Sequence, residues 1–337
     1  MIMILAIALI MTIVGLILGL LLKGIDRKIA AYFQSRIGPP LLQPVYDIIK
    51  LMYKQTIIPV TAVRWLFSSA PVIALASSAL LLLYITIPYI FYIFEINTTL
   101  QGDLIVVLYC ILIPSIAMVT GAFSSGSPYA AIGAQREMVI LMCIELPIAV
   151  VIISVAWHVA DSMADPFAIS SLFEYPLWHN AGAFGVLGGI LLFFAMVLVL
   201  PAEMSRVPFD QAEAETELAE GISVEYSGKL LAFILLTDAF KALALSMLVV
   251  ILFFPYTLSQ LFGISFQMYG HTLTPFVEIV FLLFKIIVIY SFGITFIRVV
   301  MARLKISQVA RFFLFAITAI SIIGLILIML DPNMRII

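Results

Sequence analysis

Long apolar runs divided by short polar segments set the plan of the chain. Eight of them approach or exceed the about 20 residues a helix needs to cross a bilayer: about 2–22, 66–94, 104–122, 138–157, 183–201, 230–254, 276–296 and 312–330. In lipid every backbone polar group must be paired internally, which leaves helices or a closed barrel, and runs this long exclude barrel strands. The pattern predicts an all-α polytopic membrane protein with eight transmembrane helices, a single integral membrane domain over 1–337. The first run lacks a basic flank and a cleavage site, so it reads as a retained span and not a signal peptide. After it, IGPPLLQPVYDIIKLMYKQ places Val45, Ile48, Ile49, Met52 and Tyr53 at helical spacing, with Asp47, Lys50 and Lys54 off the stripe. This predicts an amphipathic helix lying in the interface, entered through Pro39, Pro40 and Pro44.

Basic residues fall on alternate connections. Lys23, Arg27, Lys28, Arg36, Lys50, Lys54 and Arg64 follow the first run, Arg136 follows the third and Arg206 and Lys229 the fifth, while Arg298, Arg303, Lys305 and Arg311 follow the seventh. The opposite loops, 95–103, 158–182 and 255–275, contain no Lys or Arg. Positive charge stays on the cytoplasmic side. Segments 23–65, 123–137, 202–229 and 297–311 are therefore expected to be cytoplasmic, with both termini outside the plasma membrane. Arg335 is the exception.

Composition narrows the class further. The 337 residues are 64% hydrophobic and 11% charged, with a mean hydropathy of +1.22; ordinary globular chains carry about 25% charged residues. A soluble domain is excluded, and the expected surroundings are a lipid bilayer and no nucleic acid. Cys110 and Cys143 lie in separate apolar runs, and His158, His179 and His271 are far apart. Neither set has the clustered spacing of a zinc or iron–sulfur site, so no metal and no cofactor is expected on this chain, nor a catalytic residue.

The acidic charge is concentrated in one stretch. AEMSRVPFDQAEAETELAEGISVEYSGK, 202–229, holds seven carboxylates, Glu203, Asp210, Glu213, Glu215, Glu217, Glu220 and Glu225, against Arg206 and Lys229. A solvated loop is one reading. The other is a group of like charges that share protons, because neighbouring carboxylates raise one another's pKa. Charges also stand inside the spans: Glu145, Asp238, Lys241 and Lys285, with Glu278 near an end. Such residues are costly in lipid, face protein or water, and mark functional sites. Asp238 and Lys241, three apart, are expected to share a helix face and offset one another. Glu145 has no basic residue in its own span and must pair elsewhere, hold a proton or line water.

Three blocks carry a family resemblance: DRKIAAYFQSRIGPPLLQPVYDIIKL (26–51), GAFSSGSPYAAIGAQREMVILMCIE (121–145) and AEMSRVPFDQAEAETELAEGISVEYSG (202–228). They resemble the membrane subunit joining the two arms of complex I, the NADH dehydrogenase subunit 1 family, which includes the matching subunits of energy-converting nickel–iron hydrogenases. The resemblance covers essentially the whole chain. It implies a subunit without a redox centre that docks the peripheral arm and begins a chain of buried charges leading to antiporter-like subunits. The matching positions are Arg36, Glu145, Arg206, Asp210, Glu213, Glu215, Glu217, Glu220, Glu225 and Asp238. Lys241 joins them as a coupling residue, and Arg36, Arg206, Asp47 and Arg136 are the docking candidates. Quinone-reducing members carry a longer insertion where this chain has the compressed RIGPPLLQP, and Lys241 also points to the hydrogenase branch. The resemblance thus implies an archaeal, ferredoxin-driven hydrogenase complex moving protons or sodium. Its peripheral large and small subunits would hold the nickel–iron centre and the iron–sulfur clusters. The alternatives are a sulfur-reducing relative, a quinone-reducing complex I, and a stand-alone transporter.

Overall fold

A computed structural model describes residues 2–94, 102–160, 165–179, 181–262, 267–268, 271–272 and 274–331. Its elements are α1 (Ile2–Phe33), α2 (Gln43–Tyr53), α3 (Arg64–Ile93), α4 (Leu104–Ser124), α5 (Pro128–Ala160), α6 (Ile169–Glu174), α7 (Ala183–Glu203), α8 (Glu215–Leu218), α9 (Gly228–Phe253), α10 (Leu258–Phe262), α11 (Thr274–Tyr290), α12 (Ile297–Val300), α13 (Ile306–Arg311) and α14 (Thr318–Leu330). Six-residue π-helical segments, Ser291–Phe296 and Phe312–Ile317, join α11 to α12 and α13 to α14. A two-residue antiparallel pair, β1 (Gln267–Met268) and β2 (His271–Thr272), is the only sheet among the described residues. Eight of the described helical stretches are long and apolar enough to cross a membrane. The protein is an all-α polytopic membrane protein.

α9 is the axis of the bundle. Every residue from Ala239 to Phe253 is buried, and the helix touches α1, α2, α3, α7 and α11. A helix apolar on all sides belongs in an interior, and this one carries Asp238 and Lys241 into it. α3 lies against α4, and α7 against α14, with α5 between those pairs. At the α7–α14 crossing Gly188 has no room for a side chain: a Cβ there would stand 2.7 Å from the Gly324 carbonyl oxygen. Small residues permit this close approach between membrane helices.

Two helices extend well beyond the apolar runs that mark them. α1 continues from residue 22 to Phe33, through Lys23, Asp26 and Arg27, and α5 begins at Pro128, ahead of Arg136 and Glu137. The hydropathy pattern ends where charge begins. The helix continues because backbone bonding does not depend on side-chain charge, and Lys23, Asp26, Arg27 and Arg136 each find an ion-pair partner. α2 forms where the amphipathic pattern predicts, with Pro in its first turn, and rests on α1 and α9. Ile49, Met52 and Tyr53 nevertheless remain exposed.

The connections fall at two ends. At one end, Val63 N–H donates to the Ser124 carbonyl at 2.9 Å and Leu304 N–H to that of Pro208 at 3.1 Å. Ile57 N–H donates to Ser227 Oγ at 2.9 Å. Residues 54–63, 124–127, 204–227 and 301–305 thereby form one polar end. At the other, Leu104 N–H donates to the Phe167 carbonyl at 2.8 Å, and Gly185 N–H to Asp331 Oδ2 at 2.6 Å.

Candidate functional site

Close helix approach builds the first part of the site. A Cβ on Gly19 would stand 2.5 Å from the Ala239 carbonyl oxygen, so only glycine lets α1 lie this near α9. One turn on, Lys23 reaches across. Its Nζ donates to Asp238 Oδ2 at 3.1 Å and to the Leu235 carbonyl at 3.2 Å. Asp238 Oδ2 also accepts from Arg206 Nη2 at 2.6 Å. Arg206 is placed by the turn that ends α7: Ser205 takes a φ of 46°, and Arg206 N–H donates to the Pro201 carbonyl at 2.8 Å. Burial alone would lower the Arg206 pKa, but the Asp238 carboxylate outweighs it and raises it above its ordinary value. One carboxylate thus answers two cations.

The second part lies one turn deeper along α9. Lys241 Nζ stands 2.8 Å from Glu203 Oε1 at the end of α7 and donates to Ser115 Oγ of α4 at 2.7 Å. Glu203 is 3% exposed and Glu137, on α5, 7%. Ser205 Oγ donates to the two Glu137 oxygens at 3.3 and 3.4 Å. Asp238 and Lys241 therefore do not pair with each other, as their spacing led one to expect. Each is taken by partners from other segments, Lys23 of α1 and the Arg206 turn for Asp238, and Glu203 of α7 and Ser115 of α4 for Lys241.

Two cavities connect these groups. The larger, about 450 Å³, is lined by Lys23, Asp26, Arg206, Asp210, Glu213, Glu220, Asp238 and Arg298 among others. The smaller, about 60 Å³, is lined by Ser115, Glu137, Glu203, Glu213, Asp238 and Lys241 among others; it has room for only a few water molecules. Ser205, Glu213 and Asp238 border both. Burial, and then the Asp238 carboxylate, push the Glu213 carboxyl up to about 8, against the pull of Arg206. A group that titrates near neutral pH thus stands between a larger polar cavity and a smaller one. That arrangement can hold and pass a proton.

The remaining candidates divide. Asp210 accepts from Arg303 at 2.7 Å, and Glu217 from Arg136 at 2.6 Å. The hydrogen bond from Arg136 holds the exposed Glu217 below its usual range. Asp47 binds Arg27 at 2.9 Å and Gln43 at 2.8 Å; burial pushes its pKa up, but these two donors prevail and leave it lowered. Arg36 lines a third cavity, about 270 Å³, with Arg27 and Arg298. Glu220 is exposed at the mouth of the larger cavity, Glu225 is half-buried and lines none of these cavities, and the side chain of Glu215 lies outside the described residues.

Glu145 is not in the interior. It is half-buried between exposed Met142 and Leu146, has no ion pair among the described residues, and lines neither cavity. The buried carboxylate of α5 is Glu137. It shares the buried face of Ile140, Ile144 and Ile148, whereas Glu145 falls at the edge of that face. Helical phase was the signal available for this choice, and it was hidden because residues 123–137 read as a loop. Lys23 and Asp26 carry no such signal in the sequence, and Glu203 stands out there only as one of the seven carboxylates of the acidic stretch. Asp26 binds Arg298 at 3.1 Å and accepts from Thr295 Oγ1 at 2.7 Å.

The sequence profile of the NADH dehydrogenase family matches residues 5–329. The chain belongs to the NADH dehydrogenase subunit 1 family. The second NADH-quinone oxidoreductase H-subunit of Rhizobium etli is 33% identical over 252 residues, 71% of each chain. The H-subunit of the same enzyme in Geobacillus thermodenitrificans is 32% identical over 243 residues, 68% of this chain and 67% of that one. Among solved structures, a chain of the membrane-bound sulfane sulfur reductase, an archaeal respiratory membrane complex, superposes with a TM-score of 0.77 at 27% identity. The match covers 95% of this chain and 97% of that one. The protein is thus the family's membrane H-subunit, a component of a complex I-like complex.

Proposed function

We propose that this membrane subunit docks a peripheral electron-transfer arm and relays its redox energy, through buried charge, to ion-moving membrane subunits. One observation carries the reading. The polar end does not stop at the surface: through Glu213, Ser205 and Asp238 it continues into a small cavity lined by the buried Glu137, Glu203 and Lys241. A passive anchor has no need of that interior charge, which is expensive in a bilayer. On this reading the polar end is cytoplasmic, and Arg36, Asp47, Arg136 and Arg206 sit at or behind the docking face. Glu145, on the lateral face, would meet a neighbouring antiporter-like subunit. Redox cofactors would belong to other subunits: iron–sulfur clusters and a nickel–iron centre.

Compression of RIGPPLLQP supports a ferredoxin-driven hydrogenase complex pumping protons or sodium. The likeness to a chain of the sulfane sulfur reductase favours a second reading, the same coupling role in a sulfur-reducing complex. Purified complex supplied with reduced ferredoxin separates the two. Stoichiometric nickel with hydrogen evolution supports the hydrogenase, and sulfane sulfur reduction without nickel supports the reductase. Reduction of long-chain quinone at a rate comparable with ferredoxin oxidation would replace both.

A further inference from the structure

At the end of the bundle remote from the charged cluster, a groove of about 640 Å³ opens on the perimeter between α7 and α11. That volume is ligand-sized, within roughly 300–1,000 Å³. Along the wall formed by α11 and the first residues of the π-helical segment after it, Phe281 to Phe292 span about 17 Å at a rise of about 1.5 Å per residue. This is more than half of the about 30 Å hydrocarbon core. Phe284 is 60% and Phe292 67% exposed, so the groove is open on the outer face of the chain along its length.

A single ionisable ammonium stands in this apolar wall. Lys285 Nζ donates to the carbonyls of Phe254 and Tyr256, both at 3.0 Å, and lies 4.9 Å from the centre of the Phe281 ring. Those carbonyls become available because α9 has ended at Phe253. They solvate the ammonium but do not neutralise it. No ion pair with a carboxylate forms at Lys285 among the described residues. Glu278, two turns earlier on α11, directs its oxygens to Leu258 N–H at 2.6 Å and Ser259 N–H at 2.7 Å. An ammonium has three donors, so a third remains. The side chain of a helical residue points back toward the helix N-terminus, here toward the end where Trp178 stacks on Phe254. Aromatic rings with polar tips gather at the headgroup level.

We propose that this groove binds an anionic phospholipid, one hydrocarbon chain lying along α11 and the phosphodiester accepting the third donor of Lys285. Charge complementarity decides the occupant. An anionic lipid brings a phosphate to the free donor of the ammonium, whereas an apolar helix of another subunit offers it no acceptor and leaves only the more distant field of Glu278. The inference does not depend on which electron acceptor the complex uses.

The test uses the intact complex, stripped of lipid by detergent exchange and titrated with phosphatidylglycerol or phosphatidylcholine, with bound lipid counted by native mass spectrometry. Wild type should hold phosphatidylglycerol more tightly than phosphatidylcholine. Lys285→Gln should weaken phosphatidylglycerol about fivefold, the effect of about one surface-level charge, and Lys285→Arg should restore it. Val288→Trp, which fills the groove and keeps the ammonium, should weaken both lipids. Equal retention by wild type, Lys285→Gln and Val288→Trp overturns the proposal. So does a Phe284→Cys cross-link to a transmembrane helix of another subunit in the intact complex.

Discussion

Glu213 shows how a single side chain can join two compartments. Burial and the nearby Asp238, Asp210 and Glu137 carboxylates raise its pKa from an ordinary 4.5 to about 8. Between those values the folded protein keeps a proton that the unfolded chain has lost. The folded state therefore binds more protons, and its stability falls as pH rises through that window. The slope is at most about 1.4 kcal/mol per pH unit for one group. Glu213→Gln removes the titration. Its thermal stability relative to wild type should climb from pH 5 to pH 8 and level off above. Parallel melting curves across that range would mean that Glu213 is ionised throughout. The acidic stretch announced this residue, and equally announced Asp210 and Glu217. It could not tell the member that stands beside Asp238 from those held by Arg303 and Arg136, because that distinction is made by other helices. Glu137 was overlooked for a related reason: a carboxylate next to an arginine at the edge of an apolar run reads as loop, until the helix is seen to begin at Pro128.

At the scale of elements, the crossing of α1 and α9 sets the geometry. The eight apolar runs were legible as eight spans, since length and hydropathy suffice for that. The charged continuation of α1 was not, because hydropathy does not register charges that are paired by neighbours. Lys23 meets Asp238 only because Gly19 lets the two backbones approach. Gly19→Val would place carbon atoms against the Ala239 carbonyl and push α1 outward. Lys23 would then lose Asp238, and a buried charge left without its partner costs about 3–5 kcal/mol. The variant should melt well below wild type, and Gly19→Ala by a smaller margin. Melting temperatures matching wild type for both would show that the helices have slack at this contact.

At the scale of the whole molecule, charge enters at one end of an apolar bundle and stops in its interior. Asp238 is held by Lys23 and Arg206, and Lys241 by Glu203 and Ser115, with Glu137 beside them. On the proposed coupling role, a redox event in a docked arm that shifted Arg206 or Glu213 would change the field at Asp238 and hence at the groups that share its cavity, as coupled titrations do. The most direct measurement is the number of ions moved per electron in the intact complex reconstituted in vesicles, for wild type, Glu137→Gln and Asp238→Asn. Both variants should assemble and oxidise the electron donor while the ion gradient collapses, giving a ratio far below wild type. Assembly with an unchanged ratio in both would contradict a coupling role and leave the interior charges as structural pairs.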